Sequence, residues 1–404
     1  MVPSASAKPF AVQIGAGNIG RGFMGELFWA GGCRTVFADV DRAVVDALQA
    51  CGRYEIHHVT NQGDEVLEVR DVSAIDARDA SAVAEAIAGA HVACTAVGVR
   101  ALEAVAPALA RGIGRRLACR GDALNVITCE NLVGAGRFLR DLVWNRLEPL
   151  IAAGQCPPVS RDAFEARFGF VEAVVSRMVP IVPDDVRRRD PLWIACEPYA
   201  RLPVDGTAFR GPRPHVAGLE PVDNIMAYQR RKLASHNMSH ATCAYLGYQA
   251  GHEFIWQAIG DPKVLGDVRA AMDETGRALC SRFGFAPDAE RAHEDDLLER
   301  YRNRALGDQV RRVAADPLRK LGPEDRLIGS ARLCLEEGVP PTHVVRGIRA
   351  ALSYNHPADP NAARLQEMLR TRGRQHVLRE VCGLSPREPL YALLTDEPLG
   401  VKNG

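Results

Sequence analysis

The sequence predicts an α/β protein in two parts, a doubly wound parallel sheet followed by a mostly α-helical C-terminal domain. Three observations predict it. A short apolar run, Phe10–Ile14, passes directly into a glycine-rich turn, a helical stretch and a second apolar run that ends at Asp39. Two more apolar runs, 91–97 and 124–129, end in Gly98 and in Glu130-Asn131. From Pro221 onward, helical periodicity replaces strand-like runs. A chain of 404 residues exceeds what one core ordinarily supports, so two domains are expected, 1–205 and 206–404.

Each residue of the turn Gly15-Ala16-Gly17-Asn18-Ile19-Gly20 sits where a dinucleotide site needs it. Gly15 permits the tight exit from the strand, Gly17 lets the backbone approach a pyrophosphate, and Gly20 lets the next helix lie close on the sheet. The helix N-terminus faces the phosphate charge. Asp39 stands 19 residues past Gly20, where a carboxylate accepts from the adenosine ribose hydroxyls and repels a 2′-phosphate. A Rossmann-type site for NAD, in preference to NADP, is the expectation. In such a sheet the carboxyl ends of strands line the ligand crevice, which places Thr95, Val97, Gly98 and Asn131 near cofactor and substrate. Asn131 is open to two readings: an amide bonding a reacting oxygen, or an Asx turn or helix cap. Residues 54–72 alternate loosely and are expected as an antiparallel insertion.

In the second half, Asp223 is expected to cap a helix reaching Gly247 or beyond. Lys232, His236, Asn237 and His240 stand on it, within an arc of about 140° at α-helical pitch. That face is either a site or a solvated surface with a buried histidine. Cationic runs follow at Arg300, Arg302, Arg311-Arg312 and Arg319-Lys320. They are surface charges, or the cationic side of a pocket for a phosphorylated or carboxylated substrate.

Composition excludes several classes. Lys+Arg and Asp+Glu number 50 each, so no net field draws nucleic acid or anionic lipid. No apolar stretch approaches the roughly 18 to 20 residues that span a bilayer. Residues 1–9 lack an apolar core and are expected as a flexible tail, and the protein as cytoplasmic. The 11 cysteines include no C-x-x-C pair, and there is no H-E-x-x-H motif, so metal-free chemistry is expected.

Together these segments resemble the polyol-specific long-chain dehydrogenases, over roughly residues 10 to 385. The similar segments are 15–23, Phe37-Ala38-Asp39, Thr95-Ala96-Val97-Gly98, Cys129-Glu130-Asn131, Arg177-Met178-Val179-Pro180, 223–227, Arg231-Lys232-Leu233 and Pro317-Leu318-Arg319-Lys320-Leu321. The family signature of Lys, four residues, Asn, two residues and His is met by Lys232, Asn237 and His240.

The resemblance is strongest to the sugar-phosphate branch. It implies a metal-independent, NAD-linked interconversion of D-mannitol 1-phosphate and D-fructose 6-phosphate. It further implies that Lys232 takes the proton of the substrate hydroxyl, that Asn131 and Asn237 bond the developing alkoxide, and that His240 orients the substrate hydroxyls. Arg231, Arg319 and Lys320 are the expected phosphate contacts. Met238-Ser239 stands where that branch usually has Thr-Gly, Arg304 follows Asn303 where proline is usual, and 184–192 is richer in arginine. Free mannitol or a hexuronate therefore remains an alternative substrate, and a non-catalytic NAD-binding module an alternative function. The expected partners are a sugar phosphate or polyol and, at most, copies of this chain in a small homo-oligomer.

Overall fold

The computed structural model describes residues 8–119, 122–180 and 182–395; residues 1–7, most of the expected tail, lie outside the described residues. The strands are β1 (Phe10–Ile14), β2 (Arg34–Asp39), β3 (Arg53–Thr60), β4 (Gly63–Arg70), β5 (Val72–Asp76), β6 (Val92–Thr95), β7 (Leu124–Thr128), β8 (Phe168–Glu172), β9 (Ala195–Cys196), β10 (Leu202–Asp205) and β11 (Leu219–Val222).

Six of them form one parallel sheet in the order β5-β2-β1-β6-β7-β8. Strands β6 and β7 are buried along their whole length, as a parallel sheet covered on both faces requires. On one face Val12, Val126, Leu109, Ile113, Leu139 and Phe164 form a core with the helices 102–119 and 135–152. On the other, Ala11, Cys94 and Ile127 meet Phe23, Met24 and Phe28. The chain order reverses at β1, between β2 and β6, and this is where an open α/β sheet leaves its crevice. β3 and β4 form the antiparallel insertion expected at 54–72, with β9 added in parallel to β3.

The chain divides into two compact units at Met226/Ala227, later than the boundary expected at residue 205. Residues 206–226 stay with the first unit because β11 pairs in parallel with β10. The connecting loop is tied down as well. Arg210 N–H donates to Asn125 Oδ1 at 2.8 Å, and Ala217 N–H to the Leu27 carbonyl at 3.1 Å. Two strands separated by a polar loop carried too weak a periodicity to outweigh the onset of helical pattern.

Helices make up the second unit, and no strand forms among its described residues. The helix Met238–Gln249 runs through its middle with Met238, Cys243, Ala244 and Tyr245 buried. It packs against the helices 255–260, 262–283, 310–314 and 342–352. The approach to the last is close: a Cβ on Gly347 would lie 2.5 Å from Thr242 Oγ1. The longest helix, Pro262–Phe283, is bounded by local chemistry. Asp261 accepts from the N–H groups of Lys263 and Val264, and Pro262 opens the first turn.

One buried carboxyl of this unit gives the fold a pH dependence. Burial, then the charges of Glu290 and Asp273, push Glu294 up to about 7. A carboxyl that holds its proton more tightly when folded contributes stability below its unfolded value, and that contribution is lost as pH rises through about 7. Glu294→Gln is therefore expected to stabilise the protein at pH 8 by up to about 3 kcal/mol, with most of the gain gone near pH 5. Urea midpoints at the two pH values check this; a gain of equal size at both would contradict it.

Candidate functional site

The glycine turn has the geometry that a phosphate cradle requires. Register pairs Ile14 with both Ala38 and Thr95, so Gly15, Asp39 and Ala96 lie side by side at the strand ends. Gly15 has φ +91°, and a Cβ there would meet the Ala96 carbonyl at 2.4 Å. A Cβ on Gly20 would lie 1.9 Å from the Gly15 carbonyl oxygen, so only glycine lets the helix start this close. Gly17 is exposed and its missing Cβ faces open space, room that a pyrophosphate requires. Asn18 and Ile19 open the helical turn half-buried, and Asn18 Nδ2 donates to the Pro180 carbonyl at 3.1 Å.

Asp39 is anchored to this turn. One carboxylate oxygen accepts the Ala16 N–H and the other the Asp41 N–H at 2.8 Å. These residues fit an adenine dinucleotide: a glycine cradle, a helix N-terminus and a ribose-binding carboxylate converge at the switch point.

The neighbouring strand ends are organised by a residue that sequence reasoning did not single out. Glu130 accepts the N–H groups of Val97 and Gly98, at 3.0 and 2.8 Å, on its two carboxylate oxygens. It ties the turn after β6 to the end of β7. Val97 is half-buried and Gly98 exposed, whereas Thr95 is fully buried and its hydroxyl finds no hydrogen-bond partner. Thr95 thus presents no side chain to the surface. Asn131 is exposed, and the helix that follows starts only after Gly134, so Asn131 is not its cap. Arg21 is the other residue missed. It is buried beneath the turn and donates to the carbonyls of Ala16 at 2.6 Å and Leu192 at 2.7 Å.

The expected long helix starts at Ile225, two residues before the second unit begins, which makes Asn224, not Asp223, the residue before it. Its course is α to Arg231, a π turn over Lys232–Asn237, and α again from Met238. The π turn changes the geometry expected from uniform α pitch. An i→i+5 turn sets residues five apart above one another, and Lys232 and Asn237 are five apart. His240 follows Asn237 by three, one α turn, and rejoins the same line. Lys232, Leu233, Asn237 and His240 are half-buried, while 234–236 and 238–239 are buried.

His236 leaves the accessible face. Burial first, then Arg300, His240 and Lys232, hold its imidazole well below the ordinary value, and its Nδ1 has no hydrogen-bond partner. The turn is pinned through the His236 carbonyl, which accepts from Tyr301 Oη at 2.9 Å and Ser239 Oγ at 3.2 Å. Tyr301 Oη and Ser239 Oγ are themselves 2.9 Å apart.

His240 is held by two groups far away in sequence. Its Nε2 lies 2.9 Å from Asp308 Oδ2, and its ring stacks on Tyr301 with centroids 4.8 Å apart at 11°. Burial pushes the Asp308 carboxyl up, but the hydrogen bond from His240 and the charge of Arg312 outweigh it and hold the carboxyl below its ordinary value.

The three expected phosphate contacts each have internal partners. Arg231 pairs with Glu290 at 2.7 Å and lies over the Phe285 ring at 5.0 Å. Arg319 reaches Asp316 at 3.0 Å and Asp325 at 3.3 Å, and its side chain stays 49% exposed. Lys320 is 5% exposed, donates to the Ala315 carbonyl, and is pushed down to about 7 by burial and by Arg326 and Arg319. Local runs of positive charge in the sequence gave no sign of these partners. Among the described residues no cluster of His, Cys, Asp and Glu could hold a metal ion, and no helix is long and apolar enough to cross a membrane.

Both units match known families. The mannitol dehydrogenase Rossmann domain matches residues 9–218, and the mannitol dehydrogenase C-terminal domain residues 224–381. Mannitol-1-phosphate 5-dehydrogenase of Brevibacillus brevis is 36% identical over 392 residues, covering 97% of this chain and 98% of that protein. The protein of the same name from Bacillus licheniformis is 37% identical over 385 residues, covering 95% and 98%. Among solved structures, Pseudomonas fluorescens mannitol 2-dehydrogenase, in ternary complex with NAD and D-mannitol, aligns with a TM-score of 0.73. That alignment covers 96% of this chain and 91% of the other at 19% identity, which is a likeness of fold.

Proposed function

The chain belongs to the mannitol dehydrogenase family, and from that premise we propose that it interconverts D-mannitol 1-phosphate and D-fructose 6-phosphate with NAD. It is an NAD-dependent polyol oxidoreductase; the phosphorylated substrate is the finer part of the reading. One observation carries that part: identity of 36% and 37%, over nearly the full length, to two proteins named for this activity.

In this reading the residues from Gly15 to Gly20, with Asp39, Val97 and Gly98, hold the cofactor. When bound, NAD supplies the acceptor for the hydride leaving the carbinol carbon. Lys232, as the free amine, takes the hydroxyl proton and returns it when a ketose is reduced. Asn131 and Asn237 donate amide hydrogens to the substrate oxygen as it gains negative charge. His240 orients a neighbouring hydroxyl. Arg319, the most accessible of the three expected cations, takes the phosphate.

Purified protein is expected to consume NADH when given fructose 6-phosphate, with kcat/KM at least about 10²-fold above that for fructose. The internal partners of Arg231 and Lys320 favour a second reading, an uncharged polyol as substrate. Turnover of fructose, with none of fructose 6-phosphate, would establish that reading, and turnover of a keto-uronate alone would establish the hexuronate alternative; either ends the first.

A further inference from the structure

We propose that Asp308 is the positioning residue for His240, fixing the imidazole in the tautomer that carries hydrogen on Nε2 and leaving Nδ1 to accept a hydrogen bond from a substrate hydroxyl. The inference rests on the reading of His240 as a residue that meets substrate.

The two oxygens of Asp308 have separate partners. Oδ2 meets His240 Nε2 at 2.9 Å, while Oδ1 takes Nε of Arg312 at 2.8 Å and also its Nη2. A guanidinium only donates and an ionised carboxylate only accepts. Nε2 must therefore carry the hydrogen, and in the neutral ring the lone pair falls to Nδ1. Asp308 is 8% exposed and its backbone carbonyl accepts the Ile255 N–H at 2.8 Å, so the carboxylate has little freedom to turn. Tyr301 fixes the remaining degree of freedom, the tilt of the ring, by stacking at 11°. Tyr301 is in turn held through its hydroxyl by Ser239 and the His236 carbonyl. Carboxylate, imidazole and stacked phenol form a rigid mount of the kind that makes outer partners matter for a working histidine.

The consequence is a division of labour by hydrogen-bond polarity. Asn131 and Asn237 donate to the reacting oxygen, which tolerates a carbonyl or an alkoxide. An acceptor at His240 tolerates only a hydroxyl, so the carbon next to the reacting one must carry one.

Asp308→Asn tests this because Arg312 dictates how the new amide sits. Arg312 still requires an oxygen, so the amide nitrogen takes the place of Oδ2 and donates to Nε2. The ring must then move its hydrogen to Nδ1, which no longer accepts, so the substrate hydroxyl loses its acceptor and has to turn to receive a hydrogen instead. Nitrogen-15 NMR of histidine-labelled protein is expected to show His240 as the Nε2–H tautomer in the wild type and as Nδ1–H in the variant. The KM for fructose 6-phosphate should rise about tenfold or more, while the NADH dissociation constant stays unchanged.

An Nδ1–H tautomer in the wild type overturns the inference, and that measurement needs no variant to fold. So does an Asp308→Asn protein that binds NADH normally and keeps the wild-type polyol KM. His240→Ala separates the two levels. Unchanged polyol kinetics in it would refute the role of His240 itself, whereas a damaged His240→Ala beside an unaffected Asp308→Asn refutes only the positioning role.

Discussion

Lys232→Ala is expected to lower kcat/KM for fructose 6-phosphate by about 10³-fold or more while NADH binds as in the wild type. The size follows from what is removed. Proton transfer by a placed side chain contributes about 10²- to 10⁴-fold, and no water held in bulk replaces it. The proposed role of Lys232 is supported by the π turn, which brings it toward the line of Asn237 and His240. Lys232→Arg separates charge from basicity: it keeps a cation, but a guanidinium does not give up its proton, so it too should be nearly inactive. A loss below about tenfold in either variant would remove Lys232 from the chemistry.

Asp39→Ala is expected to reduce kcat/KM for NAD by about 10²-fold and to shrink the preference for NAD over NADP. Two effects add. The carboxylate pins the glycine turn through the N–H groups of Ala16 and Asp41, and hydrogen bonds to a charged group contribute about 1.5–3 kcal/mol. In the proposed cofactor site the same carboxylate accepts from the ribose and repels a 2′-phosphate. Equal losses toward both cofactors would mean that Asp39 only shapes the turn. An unchanged KM for NAD would mean that it does neither.

What the sequence disclosed was what neighbouring residues decide among themselves. Gly15, Gly20 and Asp39 were legible because a tight strand exit, a close helix start and a strand-end carboxylate each leave a residue type at a fixed offset. The boundary at 205 fell early because β10 and β11 show their pairing only once folded. The π turn was invisible to a wheel drawn at constant pitch, although the five-residue step from Lys232 to Asn237 is the spacing that such a turn aligns. Asp308 and Tyr301 escaped for another reason. They meet His240 from 68 and 61 residues away, and no periodicity spans that distance. The internal partners of Arg231 and Lys320 were hidden likewise, so accessible and engaged cations looked alike.

The most direct test of the amine's role is a crystal structure with NAD and D-mannitol 1-phosphate bound. The expected result is Lys232 Nζ within about 2.6–3.2 Å of the hydroxyl oxygen that becomes the carbonyl, with the amides of Asn131 and Asn237 on that same oxygen. A Lys232 side chain extended into bulk water, with another base on that hydroxyl, would contradict it.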